Sequence, residues 1–188
     1  KREPKGSIDM QICSSGPNYD HPYIKDSIVK LISKAKKSIY IQTPYFIPDD
    51  TIQDLLKIAV LSGVRVNIMI PNKPDHIFVY WATLYNAGEL LELGAKVYTY
   101  ENGFLHSKVL IVDDEVSTIG TANMDMRSFY VNFEIKTIIY NEAFALKLKE
   151  EFYRDIKLSK ELTLEKYRNR GRKVKIKESI SRLVSPIL

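Results

Sequence analysis

Apolar side chains along the first hundred residues recur with two alternating periods. Residues 20–37 place them at helical spacing, whereas residues 38–43 (SIYIQT) alternate in the manner of a strand. The two patterns then repeat, and they predict helices over residues 20–37, 51–62 and 75–93 and strands over residues 38–43, 64–70 and 96–100. This alternation of helix and strand is typical of a parallel sheet with helices packed on its faces.

Prolines and glycines mark the boundaries of these elements. Pro44 and Pro48 predict a loop after the first strand, and one of residues 49–51 is suited to cap the helix that follows. Gly63 and Gly94 stand where the second and third helices should end, because glycine readily adopts the left-handed conformation of a helix C-terminus.

The pattern changes after residue 100. Residues 105–112, 116–120 and 131–140 are predicted to be strands with short connections, which favours antiparallel or mixed pairing. A further helix is predicted over residues 142–158. We therefore expect an α/β fold with a mixed, largely parallel sheet and helices on both faces.

Composition and length fit a single globular domain with an appended segment. Hydrophobic residues make up 45% of the 188 residues and charged residues 27%. The single cysteine, Cys13, cannot form an intrachain disulfide, which favours a reducing compartment. No apolar run is long enough to predict a membrane span. The chain begins with Lys1 rather than Met, so we expect it to be a piece of a longer protein.

Charge is distributed unevenly along the chain. Residues 157–182 hold ten basic and three acidic residues, a balance of +7, which leaves −2 of the total +5 for the remainder. We expect residues 1–158 to form one domain and residues 159–188 a basic, amphipathic C-terminal segment. Such a segment can bind an anionic membrane surface, with its apolar side chains entering the interface, namely Ile180, Leu183, Val184, Ile187 and Leu188. A solvated helix face is the alternative explanation.

The candidate chemistry lies in residues 106–123, HSKVLIVDDEVSTIGTAN. If the two strands of this segment turn at Asp114-Glu115, His106 faces Asn123 and Lys108 faces Thr121. Alternation along a strand also places His106 and Lys108 on one face. The hairpin is therefore predicted to gather an imidazole, an ammonium, a hydroxyl and an amide.

This set of side chains suits phosphoryl transfer without a metal. A neutral imidazole is a nucleophile near pH 7, and a lysine with neutral donors can hold phosphoryl oxygens. Asp113 lies an odd number of residues from His106, so we expect it to hold the turn or the adjoining backbone. A buried histidine with a strand-end lysine would explain H-x-K alone, but not the additional Asp113, Gly120, Thr121 and Asn123.

These residues resemble the signature of the phospholipase D (PLD) superfamily, H-x-K-x4-D-x6-G-[S/T]-x-N, without a gap. Glu134 stands where family members place an acidic residue that orients the histidine. The segments QTPYFIPDD, PNKPDHIFVYWA and GTANMDMRSF further resemble the C-terminal catalytic half of the bacterial cardiolipin synthase family, from about residue 8 to the end.

The resemblance implies an enzyme whose active site is assembled from two such motifs. One histidine attacks phosphorus and forms a phosphatidyl-histidine, while the other acts as acid and base. Two phosphatidylglycerols then become cardiolipin and glycerol, with no metal or other cofactor. The second motif would come from a missing N-terminal half or from a second copy in a homodimer. The parent protein is expected at the cell membrane, with this domain on the cytoplasmic face and soluble by itself.

The same resemblance implies a role for each motif residue. His106 would be nucleophile or general acid/base, and Lys108 and Asn123 would bind non-bridging phosphoryl oxygens. Thr121 would add a hydroxyl donor, and Glu134 would accept a hydrogen bond from the histidine. With Asp113, the predicted catalytic residues are His106, Lys108, Asp113 and Glu134, and the predicted substrate-binding residues are Lys108, Thr121 and Asn123.

Other interpretations remain open at this point. His76 is either near the substrate or a surface and capping residue, and Tyr45 and Phe46 either line a lipid entrance or pack in the fold. Nucleic acid is not the expected partner, but small PLD-type nucleases carry one motif per chain and act as homodimers. An inert, lipid-binding fragment is the non-enzymatic alternative.

Overall fold

The structure is a computed structural model that describes residues 6–73 and 75–184, with side chains described as far as Ser181. The strands are β1 Asp9–Ser15, β2 Ser38–Gln42, β3 Phe46–Ile47, β4 Arg65–Pro71, β5 Lys96–Tyr100, β6 Val109–Val112, β7 Val116–Gly120, β8 Met124–Asp125, β9 Glu134–Tyr140 and β10 Ser159–Glu161. The helices are α1 Tyr23–Lys34, α2 Asp50–Leu61, α3 Ile77–Leu93, α4 Met126–Tyr130, α5 Glu142–Ile156, α6 Leu164–Arg168 and α7 Arg172–Val184.

The predicted helices form where local capping residues begin and end them. The Asp49 carboxylate accepts a hydrogen bond from the Ile52 N–H at 3.0 Å and starts α2. Asn141 caps α5 in the same way, by accepting from the Phe144 N–H at 2.8 Å. Gly94 ends α3 in a left-handed conformation at φ 112°, as its position predicted.

One eight-stranded mixed sheet forms the centre of the molecule, in the order β1-β9-β7-β6-β2-β4-β5-β10. This confirms the mixed α/β fold, but the expectation of a largely parallel sheet was wrong. In the described sheet only β2-β4-β5 pair in parallel, and the other neighbours are antiparallel. The reason is that β1 and β10, which the pattern did not predict, add antiparallel edges to the antiparallel β6-β7-β9 meander.

The two faces of the sheet bury different apolar layers. Ile39 and Ile41 of β2 point into a core with α1, α2 and α3, whereas Tyr40 points to the opposite face. There it packs against Phe152 of α5, with ring centroids 5.2 Å apart. The predicted helices therefore lie on both faces of the sheet.

The β6-β7 hairpin differs from its predicted register by one residue. Val112 pairs with Val116, so the connection contains three residues, Asp113, Asp114 and Glu115, instead of two. Asp113 and Asp114 adopt left-handed φ values of 56° and 65°, which aspartate tolerates better than most residues. Because the register shifts, His106 and Asn123 are not directly opposite each other, and both lie outside the strands.

The C-terminal segment packs against the rest of the fold. The Tyr167 ring of α6 is buried in the core, and a Cβ added at Gly88 of α3 would lie 2.0 Å from it. In α7, the buried Glu178 pairs with Arg170 at 2.7 Å, and the Lys177 ammonium lies 5.2 Å from the centre of the Trp81 ring. The predicted interfacial side chains of Leu183, Val184, Ile187 and Leu188 lie outside the described part of the chain, whereas Ile180 is half exposed.

Candidate active site

One edge of the sheet collects most of the predicted site residues. Strands β2, β4 and β7 end at this edge, and β6 and β9 begin there, because β6 is antiparallel to both β2 and β7 and β9 is antiparallel to β7. The segments that leave or enter these strands carry His106, Lys108, Thr121, Asn123 and Glu134. The topology therefore brings five of the six predicted residues to one edge.

Asp113 lies at the opposite edge of the sheet. Its carboxylate accepts three backbone N–H groups at the start of β2, from Lys36 at 2.8 Å, Lys37 at 2.7 Å and Ser38 at 2.9 Å. It thus holds the β6-β7 turn against β2, as strand alternation predicted. This position separates Asp113 from the other motif residues, so we assign it to the fold and not to the chemistry.

Two lysines flank Gly120 on one face of the sheet. Gly120 pairs with Lys136 of β9, and Lys108 stands one position before β6, where the ladder would bring it opposite Gly120. A Cβ at Gly120 would approach the Ile135 carbonyl oxygen to 2.2 Å, so only glycine lets β7 and β9 come this close. Lys136 was missed in the sequence, although its even spacing from Glu134 and Ile138 places it on the same strand face.

Burial disfavours the charged form of both lysines. Burial lowers the pKa of Lys108, while the carboxylates of Glu134 and Asp125 act in the opposite direction. Burial likewise lowers the pKa of Lys136, to about 8, against the influence of Glu134. The Lys108 ammonium donates to the His106 carbonyl at 2.9 Å, and that of Lys136 donates to the Ala122 carbonyl at 3.3 Å. The two ammonium groups thus hold the backbone beside His106 and the backbone beside Asn123.

His106 is exposed and lies beside Phe104, with ring centroids 6.0 Å apart. In the described chain, Glu134 does not accept a hydrogen bond from it. The half-buried Glu134 carboxylate accepts instead from the Asn132 amide at 3.3 Å. An exposed imidazole is accessible to a substrate or to another part of the active site.

Asn123 is held by a small network that sequence reasoning missed. Its backbone N–H donates to the Ser128 hydroxyl at 3.0 Å, and the Ser128 N–H donates to the Asp125 carboxylate at 2.7 Å. The Asn123 side chain also hydrogen-bonds Asp125, and its amide oxygen is buried without a partner among the described residues. Burial raises the pKa of Asp125. Asp125 follows Asn123 by two residues and caps α4, a local signal that could have identified it.

Thr121 uses its hydroxyl within the fold. The hydroxyl oxygen accepts from the Ile135 N–H at 2.9 Å and lies 3.3 Å from the Ile135 carbonyl, to which it donates. The side chain is nevertheless exposed. A contact with a phosphoryl oxygen would therefore replace the bond to Ile135.

Two cavities open beside these residues. One of about 390 Å³ is lined by Asn123 together with Tyr45, Ile47, His76, Val79, Asp125, Arg127 and Asn132. Another of about 300 Å³ lies beside Thr121 and Glu134 and includes Phe133. Tyr45 and His76 therefore share a cavity with a motif residue, whereas Phe46 is fully buried in the core.

The mixed α/β sheet carries a His-x-Lys segment, an asparagine and a glutamate at one edge, which is the arrangement that the resemblance to the PLD class of proteins predicts. Solved structures agree on the fold. Nuc from Salmonella typhimurium, a phospholipase D family member, superposes with a TM-score of 0.72 at 21% identity, over 84% of this chain and 99% of that chain. Phosphatidylserine synthase from Haemophilus influenzae gives 0.76 at 19% identity, over 96% and 48%.

The chain belongs to the family described as "Cardiolipin synthase, PLD-like domain", which matches residues 28–156. Cardiolipin synthase 2 of Staphylococcus epidermidis is 60% identical over 183 residues, which cover 97% of this chain. The major cardiolipin synthase ClsA of Bacillus subtilis is 56% identical over 185 residues, or 98% of this chain. The chain spans 38% of the length of each of these relatives.

Proposed function

We propose that this chain supplies one half of the active site of a phosphatidyltransferase that makes cardiolipin from two phosphatidylglycerols. The observation that carries the proposal is the 60% identity to a cardiolipin synthase over 97% of the chain. The exposed imidazole of His106 supports it, because His106 lies at the same edge of the sheet as Lys108 and Asn123 and phosphoryl transfer through a phosphohistidine requires these groups.

The proposed reaction has two steps, in which a P–N bond forms and then breaks. The histidine nitrogen attacks the phosphorus of the first phosphatidylglycerol, a P–N bond forms, and glycerol leaves with a proton from the second histidine. That histidine then takes the proton from a hydroxyl of the second phosphatidylglycerol. The resulting oxygen attacks phosphorus, the P–N bond breaks, and cardiolipin is released. His106 performs one of these two histidine roles.

The lysines balance the charge that this chemistry creates. A phosphodiester carries one negative charge, and the pentacoordinate transition state carries more. Lys108 binds a non-bridging oxygen in the proposal, and the buried Lys136, which pairs with Gly120 across the β7-β9 ladder, adds a second positive charge. Lys136 is a positioning residue, because its hydrogen bond to the Ala122 carbonyl also holds the segment that carries Asn123.

The proposed active site needs a second histidine motif. The relatives are more than twice as long as this chain, which supports a source within the same polypeptide. A second copy of the chain is the other source, since a twofold axis would bring two His106 side chains together. The phospholipid substrate and the membrane surface are the proposed partners.

The first test is His106→Ala in the full-length protein, with phosphatidylglycerol in mixed micelles. We expect cardiolipin formation and glycerol release to fall by at least about a thousandfold, because the variant lacks a group essential to covalent transfer. Circular dichroism should show an unchanged fold, since the imidazole is exposed. Near-wild-type turnover would refute the role of His106.

Treatment of the wild-type enzyme with EDTA tests the metal-free mechanism. Activity lost with EDTA and restored by a divalent ion would contradict that mechanism.

One observation favours a second candidate, a single-motif nuclease active as a homodimer. The chain carries one motif, and it covers 99% of the Nuc chain, so both contain one copy of the fold. Size-exclusion chromatography of this chain with a DNA-cleavage assay separates the candidates. A monomer without nuclease activity favours the transferase half, and a dimer that cleaves DNA favours the nuclease.

A further inference from the structure

The 390 Å³ cavity extends the motif with polar side chains that the signature does not include. Asn123 lies on its wall, and the remaining polar lining comes from the β2-α2 connection, the start of α3 and the region around α4, namely Tyr45, His76, Asp125, Arg127 and Asn132. Ile47 and Val79 add apolar surface. A cavity with a few polar groups on a partly apolar wall is the usual form of a small-ligand site.

Arg127 is the cation of this cavity. Its side chain is exposed, and no carboxylate among the described residues forms an ion pair with it. The nearby Asp125 carboxylate is already engaged by the Ser128 N–H and by the Asn123 side chain. The guanidinium is thus available to an anion, for which its planar donors are well suited.

Tyr45 belongs to the same lining, and a neighbouring carboxylate holds its hydroxyl in place. Tyr45 donates its hydroxyl hydrogen to the Asp75 carboxylate, whose other oxygen accepts from the His76 N–H at 2.7 Å. The Tyr45 oxygen therefore keeps its lone pairs for a donor in the cavity, such as an alcohol. The cavity combines a site for an anion with an acceptor for a hydroxyl.

We propose that this cavity binds the glycerophosphate headgroup of the acceptor phospholipid, with its phosphodiester on Arg127 and its glycerol between Tyr45 and Asn123. The inference rests on the proposed transferase function. The acceptor carries its own phosphodiester one glycerol unit from the attacking hydroxyl. When that hydroxyl reaches the phosphorus held beside Asn123, the second anion must lie one glycerol length away, and Arg127 lies in the same cavity.

The test compares two acceptors that differ in this phosphodiester. The full-length enzyme in phosphatidylglycerol micelles either makes cardiolipin or exchanges isotopically labelled glycerol into phosphatidylglycerol. Both reactions pass through the same phosphatidyl-enzyme, but only the first has an anionic acceptor. For Arg127→Gln we expect cardiolipin formation to fall about tenfold or more relative to glycerol exchange, because one charge-assisted contact is lost. Arg127→Lys should recover part of that ratio.

The matched control is Arg65→Gln, which removes the same charge from an exposed residue where β4 begins, at the opposite edge of the sheet. Its ratio of the two reactions should equal that of the wild type. An unchanged ratio in Arg127→Gln overturns the assignment of the cavity, whether both rates persist or both fall together. If the wild-type protein exchanges glycerol but makes no cardiolipin, the proposed function fails instead, and mass spectrometry of the lipids separates these outcomes.

Discussion

At the scale of single residues, Lys136 carries an ammonium group into a part of the sheet that is almost closed to water. Its side chain is 2% exposed, and burial lowers its pKa to about 8. Glu134 provides the opposing charge, while Lys108 adds repulsion. A charge in this position costs stability, and its proposed benefit is a positive potential behind the phosphoryl-binding residues.

Lys136→Met should therefore stabilise the fold and impair catalysis. We expect the free energy of unfolding at pH 7 to rise by roughly 1–3 kcal/mol, because a buried charge is replaced by an apolar side chain of similar length. Since the folded pKa lies below the ordinary value of 10.5, the unfolded chain holds this proton more tightly. Wild-type stability should rise as the pH increases from about 8 to 10.5, so the advantage of the variant should shrink over that interval.

Urea denaturation at a series of pH values measures this difference. Lys147→Met is the control, because Lys147 is exposed on α5 and its removal should change stability little at any pH. A Lys136→Met protein that is less stable at pH 7 would contradict the argument. It would mean that the hydrogen bond to the Ala122 carbonyl outweighs the cost of the buried charge.

At the scale of elements, β7 and β9 approach each other closely where the motif glycine lies. Gly120 pairs with Lys136, and the Ile135 carbonyl occupies the space that a side chain at residue 120 would need. Asp113 fixes the other end of the hairpin by accepting the N–H groups of residues 36–38. The glycine and the aspartate of the motif thus act on strand geometry, while its histidine and its lysine lie at the edge of the sheet.

Gly120→Ala tests whether the close contact between β7 and β9 requires glycine at residue 120. The added Cβ would lie 2.2 Å from a backbone oxygen, which cannot move aside as a flexible side chain can. We expect a loss of about 2 kcal/mol or more in unfolding free energy, measured by thermal or urea denaturation. Gly171→Ala is the control, because a Cβ there meets nothing within 4 Å. Equal stability of the two variants would show that β7 and β9 can accommodate a Cβ at residue 120.

At the scale of the whole molecule, the basic C-terminal residues are presented by a packed helix. α7 lies against α3 through the Lys177–Trp81 contact, and its Glu178 pairs with Arg170. Arg172, Lys173 and Lys175 remain exposed. In the described chain no helix has both the length and the apolar character to cross a bilayer. Because these three basic side chains are exposed on one helix, we propose that α7 attracts anionic lipid.

Replacing Arg172, Lys173 and Lys175 together by Gln should weaken binding to phosphatidylglycerol vesicles about a hundredfold. The expectation follows from about 1 kcal/mol for each basic residue near an anionic surface. Vesicle co-sedimentation at low and high salt measures it. A control variant removes three exposed lysines elsewhere, Lys30, Lys34 and Lys147. If this control loses as much binding, net charge and not α7 accounts for the interaction.

The amino-acid sequence by itself determined the longer helices and strands between residues 20 and 158 and identified the motif residues, because hydrophobic period, capping and motif spacing are local properties. It did not predict the short elements β3, β8 and α4. Asp49 at the start of α2 and Gly94 at the end of α3 are clear cases. The role of Asp113 also followed from local alternation along one strand. The family resemblance added Glu134, which does lie at the same edge as His106.

Only the tertiary structure decided the hairpin register, the predominantly antiparallel sheet and the surroundings of the motif. The register depends on left-handed conformations at Asp113 and Asp114. The Asp113 carboxylate accepts backbone N–H groups at the start of β2, and the Asp114 carboxylate accepts from the Lys149 ammonium of α5 at 2.6 Å. The proximity of Lys136 to Lys108 and of Arg127 to Tyr45 depends on contacts between segments far apart in the chain. Period and spacing describe neighbours along the chain, whereas these contacts arise when strands pair and helices pack, so the sequence pattern alone did not reveal them.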